Sequence, residues 1–392
     1  GFAFVDDTDL IQLDLRNNND DLESTMEKMQ DTVSRWEGGL KTTGGAIRPD
    51  KSWIYPIGFN FDSSGKWHYD NIQNLETKAK VKDEHEQLEQ LEHLQPHIGK
   101  ETLGVILAPD GNNENMIEEM IGKSEKWADL VRSGHLSQKD AKVALNSTIM
   151  KTLQYPLPAL TLTEKECKKI MRPMLDAGLT NSGICRRYPM KALFGPIEEA
   201  GLGVCNLFHF QGLSRISILQ EHINADSITG EMIRTSIEAA KIEIGIGRNI
   251  FSLDYDTYGC LLTECWIKHV WQFAFENDIY IEDNVTANIE FERIGDIFIM
   301  EEICSHKQFS PGDLQHINRC RIHLQTMLLS DLVCGYGTHF TSTYSCKRDT
   351  TRKSKFLWPR QPKPGKNSIR LWKKALNISF PRVSGQLTDA LG

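Results

Sequence analysis

The chain has 392 residues, 40% of them hydrophobic and 25% charged, the balance of an ordinary globular protein of two or three domains. No apolar run approaches the ~20 residues that a membrane helix needs, and no basic-then-apolar leader is legible at the start. Nine scattered cysteines, an odd number without a repeating framework, suit free thiols in a reducing compartment. The expected setting is therefore intracellular, nucleus or cytoplasm, with no membrane partner and no secretion.

The net charge is −8, but it is unevenly spread. Between Cys346 and Arg382 twelve Lys or Arg face one acid, Asp349, which leaves −19 on the rest of the chain. A locally basic segment with Phe356, Trp358 and Trp372 interleaved has the make-up of a surface that binds phosphates and stacks on bases. The candidate nucleic-acid-binding residues there are Lys353, Lys355, Trp358, Arg360, Lys363, Lys366 and Trp372.

Taken in order, the chain opens on an apolar run, Phe2 to Val5, that stops at Asp6-Asp7 and resumes through Thr8, Leu10 and Ile11. Burying unpaired carboxylates costs several kcal/mol. A tight turn between two antiparallel strands, with the acids at its tip, avoids that cost. Adjacent carboxylates repel one another unless a cation sits between them, and oxygen-only ligation favours Mg²⁺ or Mn²⁺.

The loop Asn17-Asn18-Asn19-Asp20 ends in an N-cap, after which Leu22, Met26, Met29, Val33 and Trp36 predict a helix over 21–36, closed by Gly38-Gly39. A Gly turn (Gly44-Gly45), the turn Pro49-Asp50-Lys51 and a strand at Trp53-Ile54-Tyr55 follow. Phe59, Phe61, Trp67 and Tyr69 around Asp62-Ser63-Ser64-Gly65 predict an aromatic hairpin. Residues 83–97 are charged and His-bearing, an exposed connector. Thr102 to Leu107 reads as a short strand whose Gly104 marks a bulge or a close backbone approach.

From about 114 the pattern turns helical. Ile117, Ile121, Trp127 and Leu130 share one face, Ser137-x-x-Asp140 caps a second helix ending near Tyr155-Pro156, and Thr163-x-x-Glu166 opens a third with Cys167, Ile170 and Met174 inward. Helices at about 206–224, 230–243, 261–277 and 313–332 then alternate with strand-like runs at 279–282 and 288–299. Cys260-x4-Cys265-x3-His269 has no fourth ligand in view and reads as core packing rather than zinc. The tail is expected to dock and to end in a short basic helix.

Phe4-Val5-Asp6-Asp7 resembles the aromatic-x-Asp-Asp hairpin in the palm of reverse transcriptases. The order that follows resembles non-LTR retrotransposon enzymes: helix, Gly turn, Pro49-Asp50-Lys51, aromatic strand, the Leu103-Gly104-Val105 strand, then helices. The Gly195-Pro196 to Val204 segment is similar to a Gly-rich turn that follows the thumb in retroelement proteins. The resemblance covers roughly residues 1–205. It implies an RNA-directed DNA polymerase working by two-metal nucleotidyl transfer. Asp6 and Asp7 then hold Mg²⁺ (or Mn²⁺), Lys51 lies near the departing pyrophosphate, and Leu103, Gly104 and Val105 form the primer grip. The implied partners are an RNA template, a DNA primer and deoxynucleoside triphosphates.

The expected fold class is α+β and predominantly helical. It comprises a partial palm with connector (1–112), a helical thumb (113–205), a helix-rich region (206–345) and a basic aromatic tail (346–392). The family's third metal-holding Asp and its fingers lie upstream of the hairpin, so the chain is expected to be an excerpt of a longer polypeptide with little or no activity alone. The alternatives are a nucleic-acid-binding module without chemistry and a helical interaction protein.

Overall fold

Phe2–Phe4 (β1) and Asp7–Asp9 (β2) pair antiparallel, with Phe2 opposite Asp9 and Phe4 opposite Asp7. The structure, a computed structural model, describes all residues except 1, 5–6, 13–21, 63–65, 287, 292, 349–353 and 355, and only the backbone at 2–4, 7 and 74. The predicted N-cap at Asp20 therefore lies outside the described residues. The fold is α+β and helix-rich, and among the described residues every sheet has two strands. No described helix is long and apolar enough to cross a membrane.

The chain divides into two compact units, one of residues 1–60 and 67–210, the other of 61–66 and 211–392. Apart from 61–66, the expected palm and thumb segments fall within the first, and the basic tail within the second.

In the first unit, α1 (Leu22–Thr42) runs past the predicted stop at Gly38-Gly39. Glycine in a helix interior costs about 1 kcal/mol but does not forbid the helix. The stop comes at Gly44, whose φ of 80° lets the Gly45 N–H return to the Leu40 carbonyl at 2.9 Å. Met26 and Val33 of α1 are buried with Ile54, Ala79, Val81 and Leu91, and Leu10, Met29, Ile47 and Leu75 pack around them. Trp53–Ile54 (β3) pairs in parallel with Glu92–His93 (β8). Phe59–Phe61 (β4) and Trp67–Tyr69 (β5) form the predicted aromatic hairpin. Lys80–Lys82 (β6) pairs with Leu88–Gln90 (β7), and the Gln30 amide bonds both the N–H and the carbonyl of Lys80, at 2.7 and 2.9 Å. Residues 83–97 are thus no free connector. They supply two strands, and Leu91 and Leu94 are buried.

Lys100–Thr102 (β9) and Val105–Leu107 (β10) form an antiparallel hairpin, not the single strand expected. Leu103 and Gly104 make the turn, both at positive φ (51° and 77°). This is the backbone hand that suits the twist of a two-residue hairpin, and Gly adopts it freely.

A helical layer comes next: α2 (Glu114–Ser133), α3 (Gln138–Ala144), a π-helical turn at Leu145–Ile149, α4 (Met150–Gln154) and α5 (Glu164–Asn181). The predicted caps form. Ser137 accepts from the Asp140 N–H, and Thr163 with Glu166 makes a full capping box. Leu130, expected inward, is 63% exposed. The helices share a core with Val105, Met120, Leu153, Leu160 and Ile170, against which Trp127 packs. Pro173 interrupts α5, and the Met174 N–H donates to the buried Ser124 hydroxyl of α2 at 3.3 Å. Met190–Phe194 (α6) then leads into the tight turn around Gly201 and Gly203.

The second unit takes in α7 (Leu207–His222) from Gln211 onward, then α8 (Ile228–Ile244), α9 (Tyr255–Tyr258), α10 (Trp266–Glu276), α11 (Ile299–Ser305), α12 (Pro311–Leu324) and α13 (Lys366–Ser379). It closes with the hairpin Arg382–Val383 (β11) and Gln386–Leu387 (β12). The runs at 279–282 and 288–299 carry no strand among the described residues, only one bridge, Phe298 to Leu328. Around that bridge the Ile299 N–H donates to the Met327 carbonyl and the Leu329 N–H to the Ile297 carbonyl, both at 3.0 Å.

A buried arginine and a buried ion pair hold this unit together. Arg321 is fully buried and donates to the carbonyls of Ile242 (2.6 Å), Glu243 (2.8 Å) and Thr326 (3.1 Å) and to Asn318 Oδ1 (2.7 Å). Lys241 and Asp283 form a buried ion pair at 3.2 Å that Thr286 joins. Burial works against the Asp283 charge, but the Thr286 bonds and Lys241 outweigh it and hold the carboxyl below its ordinary range.

Replacing Arg321 by Met is expected to cost at least about 3 kcal/mol in urea unfolding, since it strands several buried carbonyls at once. Asp283→Asn should cost about 3 kcal/mol at neutral pH by leaving Lys241 buried without its carboxylate. The Asp283 contribution is present above the ordinary carboxyl pKa of about 4 and is lost as pH falls. Wild type and D283N should therefore converge in acid, which unfolding midpoints measured from pH 7 to pH 3 will show.

Candidate active site and nucleic-acid interface

The acidic pair sits where the β1–β2 register leaves two residues between Phe4 and Asp7. Asp6 lies outside the described residues, and for Asp7 the backbone is the first residue of β2. The chain leaving β2 is well fixed. Leu10 packs on the small core of α1, and Thr32 of α1 donates to Gln12 Oε1 at 3.1 Å. Ile47 and Ile54, on either side of the Pro49–Lys51 turn, join the same core. The exit of the acidic hairpin, α1 and the Pro-Asp-Lys turn are thereby brought onto one cluster.

Within that turn Arg48 clamps Asp50 through two bonds of 3.0 and 2.9 Å, and the guanidinium holds the Asp50 carboxyl below its ordinary range. Lys51 is exposed, and no described carboxylate forms an ion pair with it. Asp50, clamped by Arg48, also feels the charge of the neighbouring Lys51.

Of Leu103, Gly104 and Val105, only Val105 enters the core of the helical layer, while Leu103 and Gly104 are exposed at the hairpin tip. Val105 is buried with Met116 and Ile117, and the Gly99 N–H donates to Asn115 Oδ1 at 3.1 Å. The hairpin tip is held by a residue that no sequence motif singles out. Tyr155, 63% exposed, donates its hydroxyl to the Leu103 carbonyl at 2.8 Å. The helix carrying Tyr155 widens into a π turn at Leu145–Ile149, where the Trp127 indole N–H donates to Thr148 Oγ1 at 3.0 Å. Such turns interrupt regular helices chiefly at working surfaces. In the sequence, Tyr155 marks only the end of a helix.

The basic segment is docked rather than solvated. Pro364 is buried, and the Gln361 carbonyl bonds His323 Nδ1 at 3.2 Å. Trp372 is a correction to the expectation from sequence: it is fully buried and donates its indole N–H to the Thr343 carbonyl at 3.1 Å, so it cannot stack on a base. Trp358 is half-buried, with Arg321 over its ring at 5.5 Å and its N–H on Ser354 Oγ at 2.6 Å. Arg360, Lys363 and Lys366 are exposed, while Lys353 and Lys355 lie outside the described residues.

No group of three His, Cys, Asp or Glu among the described residues is placed to hold a metal ion. Cys260, Cys265 and His269 do not form one. Burial pushes both thiols up and the imidazole down, the directions that disfavour thiolate and imidazolium alike. No protein family, no curated protein and no solved structure matches this chain.

Tyr155→Phe removes one hydrogen bond at the surface and is expected to lower overall stability by no more than about 1 kcal/mol. Amide exchange at residues 102–105 should rise severalfold while α2 and α5 keep their protection. Unchanged exchange at the hairpin tip would show that the hydroxyl does not hold it.

Proposed function

We propose that this chain carries part of a retroelement reverse transcriptase, an RNA-directed DNA polymerase of the non-LTR type, with residues 1–112 as palm and connector and 113–205 as thumb. The observation that carries this reading is the single small core that gathers Leu10, α1, Ile47 and Ile54. It sets the exit of the Asp6-Asp7 hairpin and the Lys51 turn on one support. The order of elements in the first unit supports it as well: acidic hairpin, helix, Pro-Asp-Lys turn, a Leu-Gly hairpin against helices, and a capped helical layer.

In this reading Asp6 and Asp7 hold Mg²⁺ or Mn²⁺, which supplies charge neutralisation and Lewis-acid activation for nucleotidyl transfer when bound. Lys51 offers an exposed ammonium to the pyrophosphate end of a deoxynucleoside triphosphate. The Leu103–Gly104 tip, braced by Tyr155, presents backbone to a primer strand, and the helices after it pack beside an RNA template and DNA primer. Catalysis of this kind rests on positioning and charge stabilisation more than on covalent chemistry. The resemblance supplies two of the family's three metal-holding carboxylates, so little or no extension is expected from these residues alone.

One observation favours a second reading, a nucleic-acid-binding module without chemistry. The acidic hairpin is a two-stranded sheet among the described residues, with no further strand beside it. Salt-sensitive binding of a primer–template that is unchanged in Asp6→Ala would support that reading over the first.

The direct test is primer extension on an RNA template with Mg²⁺ or Mn²⁺, by the chain alone and joined to a segment supplying a third aspartate on a strand. The joined protein is expected to extend primers, and Asp6→Ala or Asp7→Ala to lower the rate by ~10²-fold or more. Extension that survives the loss of both aspartates would refute the assignment.

A further inference from the structure

The cations of α13 are ordered along the helix. At 3.6 residues per turn, Lys366, Arg370, Lys373 and Asn377 fall within an arc of about 60°. Ser368, Trp372, Ala375, Leu376 and Ser379, all buried, occupy the opposite face. The helix has no acidic residue at all. Its four outward positions span about 16 Å at 1.5 Å per residue. The first, second and fourth are exposed and Lys373 is half-buried.

At the far end the stripe runs into Arg382. Tyr344 takes Arg382 over its ring at 4.4 Å and Lys373 at 5.5 Å, so two like charges share one aromatic ring. Arg382 is fixed further by a 2.6 Å bond to Asn377 Oδ1, which also accepts from the Tyr344 hydroxyl at 3.2 Å. Both bonds use the oxygen, leaving the amide NH₂ of Asn377 as a donor. Asn377, Arg382 and Gly385 line an open pocket of about 410 Å³.

None of Lys366, Arg370, Lys373 and Arg382 forms an ion pair with a described carboxylate. Like charges three and four residues apart on a helix repel, and no described carboxylate pairs with these cations to offset it. Cation–π seats hold the two terminal cations in place, which reduces the ordering entropy a ligand must offset.

We propose that Lys366, Arg370, Lys373, Asn377 and Arg382 form a track for the phosphates of a nucleic-acid backbone, with one phosphate seated in the pocket at Asn377 and Arg382. Recognition runs through charge and amide donors to phosphate oxygens and carries no base readout, because Trp372 is in the core. A membrane surface fits less well. An amphipathic helix that binds lipid inserts its apolar face, and that face of α13 is packed against α11, α12 and the Ser342–Ser345 turn. The track lies in the second unit and stands whether or not Asp6 and Asp7 are catalytic.

The test is fluorescence anisotropy of a mixed-sequence 20-base-pair duplex with the full chain from 50 to 200 mM salt. Wild type should bind, with affinity falling steeply and linearly in log salt. Lys366→Gln with Arg370→Gln leaves the ring contacts intact. It should weaken binding ~10-fold at 50 mM and flatten the salt slope by about two, one for each cation withdrawn from a phosphate. Arg382→Gln should flatten it by about one, while Lys307→Gln, an exposed cation off the track, should change neither. Equal affinity and slope in the track variants and in Lys307→Gln would overturn the proposal. So would inorganic phosphate perturbing Arg382 with no duplex bound, or binding to phosphatidylserine vesicles but not to DNA. The polymerase reading is read out by primer extension and the track by duplex affinity and salt slope in the α13 variants, so failure here and failure there are separable.

Discussion

The last carbonyls of α8 have no helical donors of their own, and a side chain from another helix supplies them. Arg321 of α12 reaches Ile242 and Glu243, and the chain turns away immediately through Gly245 at φ 88°. A side chain at 245 would start 2.7 Å from Met300 Cγ and 2.8 Å from Arg321 Nε, so the position demands glycine twice over. Taking a guanidinium wholly out of water is costly unless its donors are used. Here carbonyls and Asn318 use them, at the place where the α8 dipole is negative. The result fixes α12 against α8. Since α13 packs on α12, a cap at one helix end also sets the floor under the cationic stripe.

The first unit is organised differently. Its amino-terminal portion has little apolar material, and it is joined by polar side chains that complete backbone pairing. Gln30 serves the edge of β6 as a neighbouring strand would, and Glu23 accepts from the N–H groups of Glu76 and Thr77. A helix laid along a strand edge covers backbone groups that would otherwise invite another chain. The helical layer after it relies on apolar packing of α2 against α5, and one hydroxyl, Ser124, serves the N–H displaced at Pro173. The acidic hairpin thus leaves through the lightly packed portion, while the Leu103–Gly104 tip is anchored in the heavily packed one.

Much of this is legible where a local rule acts alone. The N-cap at Ser137, the capping box at Thr163, the aromatic hairpin at 59–69 and the helical phase of α5 follow from residue type and spacing. The departures share one cause: composition points one way where geometry decides. Gly38-Gly39 reads as a stop, yet the stop needs a left-handed residue with a returning N–H, and Gly44 provides it. Leu103 carries no turn signal, because a leucine at positive φ is tolerated only when its neighbours hold it there. Trp372 reads as a stacking residue among cations, although its phase with Ser368, Ala375, Leu376 and Ser379 places it in the core. The strand-like run at 288–299 pairs only at its end, Phe298 against Leu328, because pairing, unlike helix formation, cannot be satisfied within the segment.

The charge distribution links the two proposals physically. A chain with net charge −8 repels a polyanion at long range, but beyond a Debye length of about 8 Å that repulsion is screened at physiological salt. Binding is then decided by local sign. Along α13 the local sign is uniformly positive, the cations are spaced by helix geometry, and two of them are already held on Tyr344. Such an array bears its like-charge repulsion in the free protein and sheds it when phosphates arrive, so its affinity should come chiefly from counterion release rather than from buried area. A polymerase that tracks a duplex by backbone contact needs that kind of grip, strong enough to retain the substrate and indifferent to its sequence. An interaction domain selecting one protein partner would gain specificity from alternating signs and a buried apolar centre, and the outward face of α13 has neither.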